Sequence, residues 1–514
     1  MDEVATVIRA SGYTKTEITM QLATGQAHTP ADLLAFQQLS PDRSWSNTIH
    51  ALSLSPEHAP LYFLLSRAWM QLWGSSIVAI RSLSVLCSLL TLPVMVALGR
   101  VAFDRRNRIA LIAVILLSVS PFFVAYAQEA RPYSLWLLLI VLSQWLLFRA
   151  MRLNRSWDWI AYGVALTLSC YTSLLSIPLT LSQAIIGLTL PRSRSQCLWL
   201  TLSGVGFAIL PWLGVIWYHQ SALVDNTTWM RTSISPLSIL AIWLYSFVIL
   251  FFDVPVITSG LGSIGQAMIA LIVLMICGLA LWKALRCDRF TQLWLSSLML
   301  PIPIVLVLLD GIFQGQASAT PRYWVPTQLG VLLAVAYLTS RKHRFALGLL
   351  AILLSLSLWS SWGNLDRIPA YQKAQSRHNR EIAGIINQTT RPMLISEATQ
   401  TIDLLSLSHD LQPSTEIRIL PPQAHPPIEA RIPDWTPLLT DRQPIFWFAP
   451  SAAWLMALQQ NPAIELVERY RPDLITDEDI YRSLWQIQLS SSVVPFNHEN
   501  ISNCGNISNL CNRN

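Results

Sequence analysis

Long apolar runs, separated by short polar or basic loops, occupy most of the chain between residues 77 and 362. A helix needs about 20 mostly apolar residues to cross a bilayer, and these runs approach or reach that length. The pattern therefore predicts a polytopic α-helical membrane protein with about ten membrane-spanning helices. The predicted helices lie at 77–99, 109–127, 133–150, 157–173, 174–190, 197–218, 262–285, 291–309, 324–340 and 345–362.

Two further apolar runs, at 61–73 and 236–256, need a separate decision. The first is too short to cross, and Arg67 and Gln71 lie four residues apart on one of its helical faces. We expect it to form an amphipathic helix on the membrane surface. The second run is long enough to cross, so the distribution of basic residues has to decide.

Basic residues gather in five short loops that follow alternate predicted helices. If neither 61–73 nor 236–256 crosses, all five loops fall on one side, which the positive-inside rule identifies as the cytoplasm. Counting 236–256 as a crossing would move the last two loops to the wrong side. The opposite side then receives residues 1–76, the loop between the second and third helices, and the chain after residue 362.

The composition changes after residue 371, where short extended runs alternate with helical ones. Such alternation predicts a small α/β domain over 371–490, here on the extracytoplasmic side. Residues 491–514 are rich in Asn and Ser, which predicts a disordered tail. The full division is a first extracytoplasmic loop with juxtamembrane helices (1–76), a transmembrane core (77–362), the α/β domain and the tail.

Charge and composition agree with this picture. The chain is 53% hydrophobic and only 12% charged, whereas soluble proteins carry about 25% charged residues. The net charge of +6 comes from basic loops, so it is a topology signal and not a nucleic-acid-binding patch. The 7 cysteines show no paired CxxC spacing that would indicate a metal site.

The stretch Ala127–Tyr133, with the sequence AQEARPY, places Glu129 and Arg131 side by side between two long apolar runs. Ionisable groups at a membrane boundary usually line a site or a polar path. The alternative is that both side chains only cap two helices in the headgroup region, with Tyr133 as an interfacial anchor. The residues around this stretch decide between the two interpretations.

Four pieces fall on the predicted outer side: Asp2-Glu3, Glu57-His-Ala-Pro-Leu-Tyr62, Gln128-Glu-Ala-Arg-Pro-Tyr133 and Pro321-Arg-Tyr323. Their order and spacing resemble glycosyltransferase family 39, a group of GT-C membrane enzymes related to protein O-mannosyltransferases and the lipid A aminoarabinose transferase. The resemblance covers roughly residues 1–340. Its most specific part is the AQEARPY stretch, and a bare Asp-Glu pair is hardly specific.

Two departures from the family pattern stand out. The family's first transmembrane helix is missing before Asp2, from which we expect a start site placed too late or a truncated product. Ala59 stands where the family usually has proline, which predicts a small loss of rigidity.

The resemblance implies an inverting transfer of a sugar from a polyprenyl-phosphate donor to a lipid, polysaccharide or protein acceptor, at the outer face of the cell membrane. Asp2 resembles the catalytic carboxylate and would act as general base on the acceptor; otherwise it is a frayed end. Glu129 resembles the second acid and would orient the acceptor or assist the base. Arg131 and Arg322 would bind the donor phosphate, since guanidinium groups match phosphate oxygens in a bidentate way.

Other candidates have plainer alternatives. Glu57 and His58 could contact the sugar or the phosphate, or could simply cap the 61–73 helix. Glu3 could support Asp2 or bind a metal, or could be a solvated loop residue. Tyr133 could bind substrate, although Tyr62, Tyr133, Tyr171 and Tyr323 are most simply interfacial aromatics. No dedicated metal motif is present and no cofactor is certain, but two neighbouring acids leave room for a divalent cation.

Three other functions compete with sugar transfer. A flippase or transporter for a lipid-linked glycan would usually show internal repeats and helices broken at mid-membrane, and the sequence has no such repeat. A polysaccharide polymerase or ligase also has large outer loops, but not this order of motifs. An inactive, truncated family member kept as a binding scaffold is the third alternative, because the first helix is missing.

Overall fold

The computed structural model describes residues 2–103, 107–254, 260–341, 344–364, 378–422, 444–460, 464–471 and 483–489, with Asp2 described by its backbone alone. These residues fall into two compact units. The first unit contains the described residues within 1–17 and 35–377, and the second contains those within 18–34 and 378–514. The predicted tail, 491–514, lies outside the described residues.

Helices account for nearly all regular structure before residue 364. Those that precede the first long apolar run are α1 (Asp2–Ser11), α2 (Lys15–Leu22), α3 (Pro30–Ala35), α4 (Trp45–Ser53) and α5 (Leu61–Trp73). Those that follow are α6 (Ile77–Ala102), α7 (Asn107–Val119), α8 (Pro121–Ala127), α9 (Tyr133–Leu153), α10 (Ser156–Thr172), α11 (Ser176–Ser182), α12 (Ala184–Gly187), α13 (Arg192–Tyr218), α14 (Gln220–Asn226), α15 (Pro236–Val248), α16 (Gly260–Ala284), α17 (Arg289–Met299), α18 (Pro301–Phe313), α19 (Val325–Thr339) and α20 (Arg344–Gly363).

Membrane-spanning helices are present, as the apolar pattern predicts. Within the described ranges, α6, α9, α13, α16 and α20 are long and apolar enough to cross, and the bent pairs α7–α8 and α17–α18 raise the number to seven. Helix α10 has 17 residues and α19 has 15, so both fall below that length criterion. The polytopic helical class is confirmed, whereas the count of ten stays a prediction.

Two prolines create the bent pairs. Pro121 is the first residue of α8 and Pro301 the first of α18. Proline has no N–H for the helical ladder and its ring clashes with the preceding turn, so it begins a new helix instead of continuing the old one. The axes bend by 65° at the first break and by 42° at the second. The first bend lies directly before the AQEARPY stretch.

Helix α19 lies inside the first unit, because 14 of its 15 residues are buried. An apolar helix that is buried on every side must be surrounded by other helices. Its neighbours include α7, α16 and α17. Helix α9 packs in a similar way between α6 and α10, and this packing fixes the position at which the AQEARPY stretch enters α9.

Helix α5 differs from the expected surface helix in one respect. Arg67 is only 3% exposed, although its position opposite an apolar face predicted a polar surface residue. Its Nη1 donates to the carbonyl oxygen of Ala10 at 3.0 Å and to Thr48 Oγ1 at 2.9 Å. Arg67 therefore fastens α5 to α1 and α4, and only Gln71 remains exposed on that face.

The second unit is built on a six-stranded sheet with the order β1-β3-β2-β4-β6-β5. Strands β3, β2 and β4 run parallel, while β6, β5 and β1 pair antiparallel with their neighbours. The strands are β1 (Ala27–His28), β2 (Met393–Glu397), β3 (Glu416–Leu420), β4 (Ile445–Phe448), β5 (Ile464–Tyr470) and β6 (Leu484–Leu489), with helices α21 (Asn379–Ile386), α22 (Thr401–Leu407) and α23 (Ala452–Gln459). Strands β2 to β6 lie within the extended runs of the sequence after residue 371.

The edge strand β1 comes from a distant part of the chain. Ala27 and His28 pair with Arg418 and Ile417 of β3, and the N–H of Gly25 donates to the carbonyl oxygen of Ile419 at 2.9 Å. A two-residue strand shows no alternation of polar and apolar positions, so the sequence gives no sign of it. Residues 18–34 thus pack with the C-terminal unit.

Candidate active site

The AQEARPY stretch connects α8 to α9 in a compact turn. Helix α8 ends at Ala127, and Pro132 stands immediately before α9. The N–H of Arg131 donates to the carbonyl oxygen of Glu129 at 2.7 Å, which closes a three-residue turn with Ala130 at its centre. Glu129 is 5% exposed and Arg131 is 6% exposed. The two opposite charges are therefore buried at one end of the helical bundle, on either side of a tight turn.

Glu3 reaches this turn from α1. Its Oε1 accepts a hydrogen bond from the N–H of Ala130 at 2.9 Å. The same carboxylate accepts two hydrogen bonds from Arg81, from Nε at 2.7 Å and from Nη2 at 2.5 Å. The Glu3 carboxylate therefore accepts three hydrogen bonds. This environment favours a role in positioning the turn over that of a solvated loop residue.

Arg81 is the residue of this site that the sequence did not single out. It lies in the second turn of α6, which begins after the N-cap Ser76, whose hydroxyl accepts from the N–H of Ala79. The charge of Glu129 also acts on Arg81. A signal was present, because an arginine inside a predicted membrane span is itself a candidate functional residue.

Asp2, the predicted general base, is the first residue of α1. Its side chain lies outside the described residues, so its role as base stays a prediction. The helix that carries it is well fixed, because Val7 and Ala10 pack in one apolar cluster with Ile80 and Ala130.

Tyr126 and Tyr133 precede and follow the turn in sequence. The ring of Tyr133 is buried and lies 4.8 Å from the ring of Tyr126, centroid to centroid. The guanidinium carbon of Arg131 lies 5.8 Å from the Tyr133 centroid, within the range of a cation–π contact. Tyr62, expected as an interfacial aromatic, is fully buried and its hydroxyl lies 2.6 Å from Ser84 Oγ. The interfacial interpretation of Tyr62 is therefore wrong, because a hydroxyl partner lets the whole ring be buried between α5 and α6.

Glu57 and His58 lie in the loop before α5. Glu57 Oε2 accepts from the Asn226 amide at 3.1 Å, and His58 Nε2 lies 3.6 Å from Glu57 Oε1. Burial raises the pKa of the Glu57 carboxyl, while the charge of Arg9 and the Asn226 hydrogen bond act in the opposite direction. The His58 ring lies 5.5 Å from the ring of Phe63, so this side chain also packs against α5.

Helix α1 connects the two groups of candidates. Glu3 lies near its start, and Arg9 lies six residues later, which is about 9 Å along the helix axis. Arg9 Nε donates to Ser55 Oγ at 3.0 Å, in the loop that carries Glu57. Asp2 and Glu3 therefore lie on α1, and the loop that carries Glu57 and His58 contacts the other end of this helix.

Arg322 lies in the short 3-10 helix Pro321–Trp324 that leads into α19. Its guanidinium carbon is 5.8 Å from the centroid of Tyr323, and the residue is half-buried. The preceding loop is held by Asp310, which accepts the N–H groups of Ala317 and Ser318. Arg322 thus lies on a rigid element at the entry of the central helix.

The divalent cation of the sequence-based hypothesis stays a prediction. Among the residues that the structure describes, no group of three or more His, Cys, Asp or Glu side chains is arranged to hold a metal ion. The Asp2 side chain, which would contribute to such a site, lies outside the described residues.

The fold and the buried charged turn define a polytopic membrane protein with a polar site at one end of its helical bundle. Residues 57–218 match the family model described as dolichyl-phosphate-mannose-protein mannosyltransferase. This match contains Glu57, His58, Glu129 and Arg131, and it confirms the resemblance that the motifs predict. Over these residues the chain is similar to this mannosyltransferase family. No curated protein matches the chain.

Three solved structures are similar at low identity. The apo form of ArnT from Cupriavidus metallidurans is 14% identical over 84% of this chain and 87% of its own, with a TM-score of 0.36. The same protein bound to undecaprenyl phosphate is 15% identical over 86% and 89%, with a TM-score of 0.33. The Archaeoglobus fulgidus oligosaccharyltransferase complex with zinc and sulfate is 12% identical over 70% and 54%, with a TM-score of 0.39. No residue role follows from similarities this distant.

Proposed function

We propose that this protein is a membrane glycosyltransferase that transfers a sugar from a polyprenyl-phosphate donor to an acceptor at the extracytoplasmic face of the cell membrane. The observation that carries the proposal is the burial of Glu129 and Arg131 on one tight turn, within the segment that matches the mannosyltransferase family. Such a pair is costly to place at a membrane boundary, and a charged substrate explains its presence.

The proposed chemistry is a displacement with inversion at the anomeric carbon. The acceptor hydroxyl forms the new glycosidic bond while its proton passes to the Asp2 carboxylate, and the bond to the phosphate oxygen breaks. Polyprenyl phosphate leaves as an anion, and Arg131 and Arg322 neutralise its charge. Glu129 orients the acceptor, which is a lipid, polysaccharide or protein. Glu57, His58 and Tyr133 contact the sugar or phosphate.

The sheet of the second unit supports the predicted topology. Strand β1 precedes the first membrane-spanning helix and β3 follows the last, yet the two strands pair. The chain must then cross the membrane an even number of times between His28 and Ile417. Five or seven crossings are odd, whereas adding α10, α11–α12 and α19 to the seven candidates gives ten. We infer that these shorter helices also cross, and that the C-terminal unit lies on the same side as residues 1–76.

A transfer assay tests the proposal directly. The full chain is reconstituted in liposomes with radiolabelled polyprenyl-phosphate sugars, and initial rates are measured for the wild type and for Asp2→Asn. Removal of a general base should reduce turnover by about 10²- to 10⁴-fold, with donor binding nearly unchanged. The matched control is Asp42→Asn, because Asp42 is an exposed acid of the same outer segment.

Two results would contradict the proposal. Full turnover by Asp2→Asn refutes Asp2 as the base. Absence of transfer by the wild type, with labelled lipid moving between leaflets, indicates a flippase in place of a transferase.

A further inference from the structure

The carboxylate of Glu3 is shared between an arginine and the backbone of the charged turn. Arg81 donates two hydrogen bonds to it, one to each oxygen, and the N–H of Ala130 donates a third to Oε1. A bidentate arginine fixes the plane of a carboxylate as well as its charge. Arg81 therefore determines the direction in which Oε1 faces, and Oε1 faces Ala130.

Ala130 is the central residue of the turn that separates Glu129 from Arg131. The turn is closed by one backbone hydrogen bond, from Arg131 N–H to the Glu129 carbonyl. The N–H of Ala130 points away from that bond, and Ala130 itself is 2% exposed among Val7, Ala10, Met70 and Ile80. A buried N–H without an acceptor is strongly unfavourable, so loss of Glu3 as acceptor would drive the turn into another conformation.

An ion pair alone does not explain this arrangement. The Arg81 side chain is 44% exposed, and pairs with such exposure contribute little to stability because water and salt screen them. The distinguishing feature is the third donor, which belongs to the turn that carries both buried charges.

We propose that Arg81 is a positioning residue for the sugar transfer: through Glu3 it holds the Glu129–Ala130–Arg131 turn in its active geometry. The inference rests on the proposed function for its catalytic consequence, but the effect on the turn does not depend on that function. Both parts are therefore measured separately.

The test compares four forms of the full chain with the wild type. Arg81→Met removes all donors and keeps an unbranched apolar stem, and Arg81→Lys keeps the charge with a single donor group. The charge swap Glu3→Arg/Arg81→Glu restores an ion pair. It leaves the N–H of Ala130 without the acceptor at position 3, because an arginine side chain has no hydrogen-bond acceptor. Arg149→Met is the matched control, since Arg149 forms an ion pair of similar exposure with Asp158.

Four quantities are measured for each form: the melting temperature, the hydrogen–deuterium exchange of the peptide containing Ala130, and kcat and KM for sugar transfer. Arg81→Met should accelerate exchange at Ala130 and lower kcat roughly 10- to 100-fold, because a small misplacement of catalytic groups has an effect of this size. KM for the donor should change less than about threefold, and Arg81→Lys should recover part of kcat.

The charge swap is the decisive form. It should recover the melting temperature of the wild type while exchange at Ala130 stays fast and kcat stays low. Recovery of wild-type exchange and kcat by the swap, or unchanged exchange in Arg81→Met, would overturn the inference. If no form including the wild type transfers sugar, the proposed function fails, and the exchange data alone then support or overturn the positioning role.

Discussion

Two ion pairs with similarly exposed arginines lie near opposite ends of helix α9. Near its start, Arg81 contacts Glu3 with side-chain exposures of 44% and 17%. Near its end, Arg149 Nε lies 2.6 Å from Asp158 Oδ1, with exposures of 45% and 6%. Arg149 is 16 residues after Tyr133, which is about 24 Å along the helix.

The partners of the acidic residue distinguish the two pairs. Asp158 lies in the first turn of α10, so its pair joins two consecutive helices across the short connection at Asn154, which adopts a left-handed conformation. Its second oxygen, Oδ2, has no hydrogen-bond partner among the described residues. Glu3, in contrast, also holds the N–H of Ala130. An arginine–carboxylate pair can therefore either join two helices or position a functional turn. The additional hydrogen bond of the carboxylate to the turn distinguishes the second role from the first.

The largest effect on transfer in this comparison is expected when the charge of Arg131, just before α9, is removed. Arg131→Ala should lower kcat/KM for transfer by roughly 100-fold or more, since groups that stabilise developing negative charge contribute this much. Binding of polyprenyl phosphate should weaken as well, because its phosphate loses a bidentate partner. Initial rates and lipid-binding titrations measure both quantities.

The control for that experiment is at the other end of the same helix. Arg152 is exposed in the last turn of α9, and Arg152→Ala should leave rate and binding nearly unchanged. Unchanged affinity for polyprenyl phosphate in Arg131→Ala would refute the assignment of Arg131 to the phosphate.

A smaller effect is expected when the Arg149–Asp158 pair is broken. Arg149→Met leaves the buried carboxylate of Asp158 without its cation, and we expect a loss of about 1–3 kcal/mol in the free energy of unfolding. Thermal unfolding in detergent measures it. Transfer activity per folded molecule should be that of the wild type. A fall in kcat as large as that of Arg81→Met would remove the distinction between the two ends.

The smallest perturbation tests whether the two ends of α9 lie on opposite sides of the membrane. Single cysteines are placed at Gln128, Arg152 and Asp410 in a cysteine-free form, and intact cells are treated with a membrane-impermeant thiol reagent. All three positions are exposed. Cysteines at 128 and 410 should react and the one at 152 should not. Reaction at only one of the positions 128 and 410 would contradict an even number of crossings.

Much of the helical architecture follows from the sequence because long apolar runs have one stable solution in a bilayer. Helices α6, α9, α13, α16 and α20 lie where the hydrophobic pattern predicts them. The number of crossings does not follow as directly, because α10 and α19, with 17 and 15 residues, are shorter than a typical membrane-spanning helix. The bends at Pro121 and Pro301 were recognisable in principle, because proline interrupts the helical ladder.

The candidate site was predictable only in part. Glu129 and Arg131 were selected because charges between apolar runs are rare, and both are buried on one turn. The position of Arg81 inside a predicted membrane span was a signal for it, but its contact with Glu3, 78 residues away in sequence, is shown by no local pattern. Strand β1 was missed for a similar reason, since two residues have no periodicity. The catalytic role of Asp2 stays a prediction.

The pairing of β1 with β3 has a consequence for the biogenesis of the protein. About 390 residues separate His28 from its partner strand, and at 5–20 residues per second their synthesis takes roughly 20–80 s. During this interval the entire helical bundle is inserted, and the strand within 18–34 has no partner strand to pair with. Exposed strand edges attract wrong partners, so a nascent chain stalled before Glu416 should be a target for chaperones and proteases on the side of the membrane where that segment emerges.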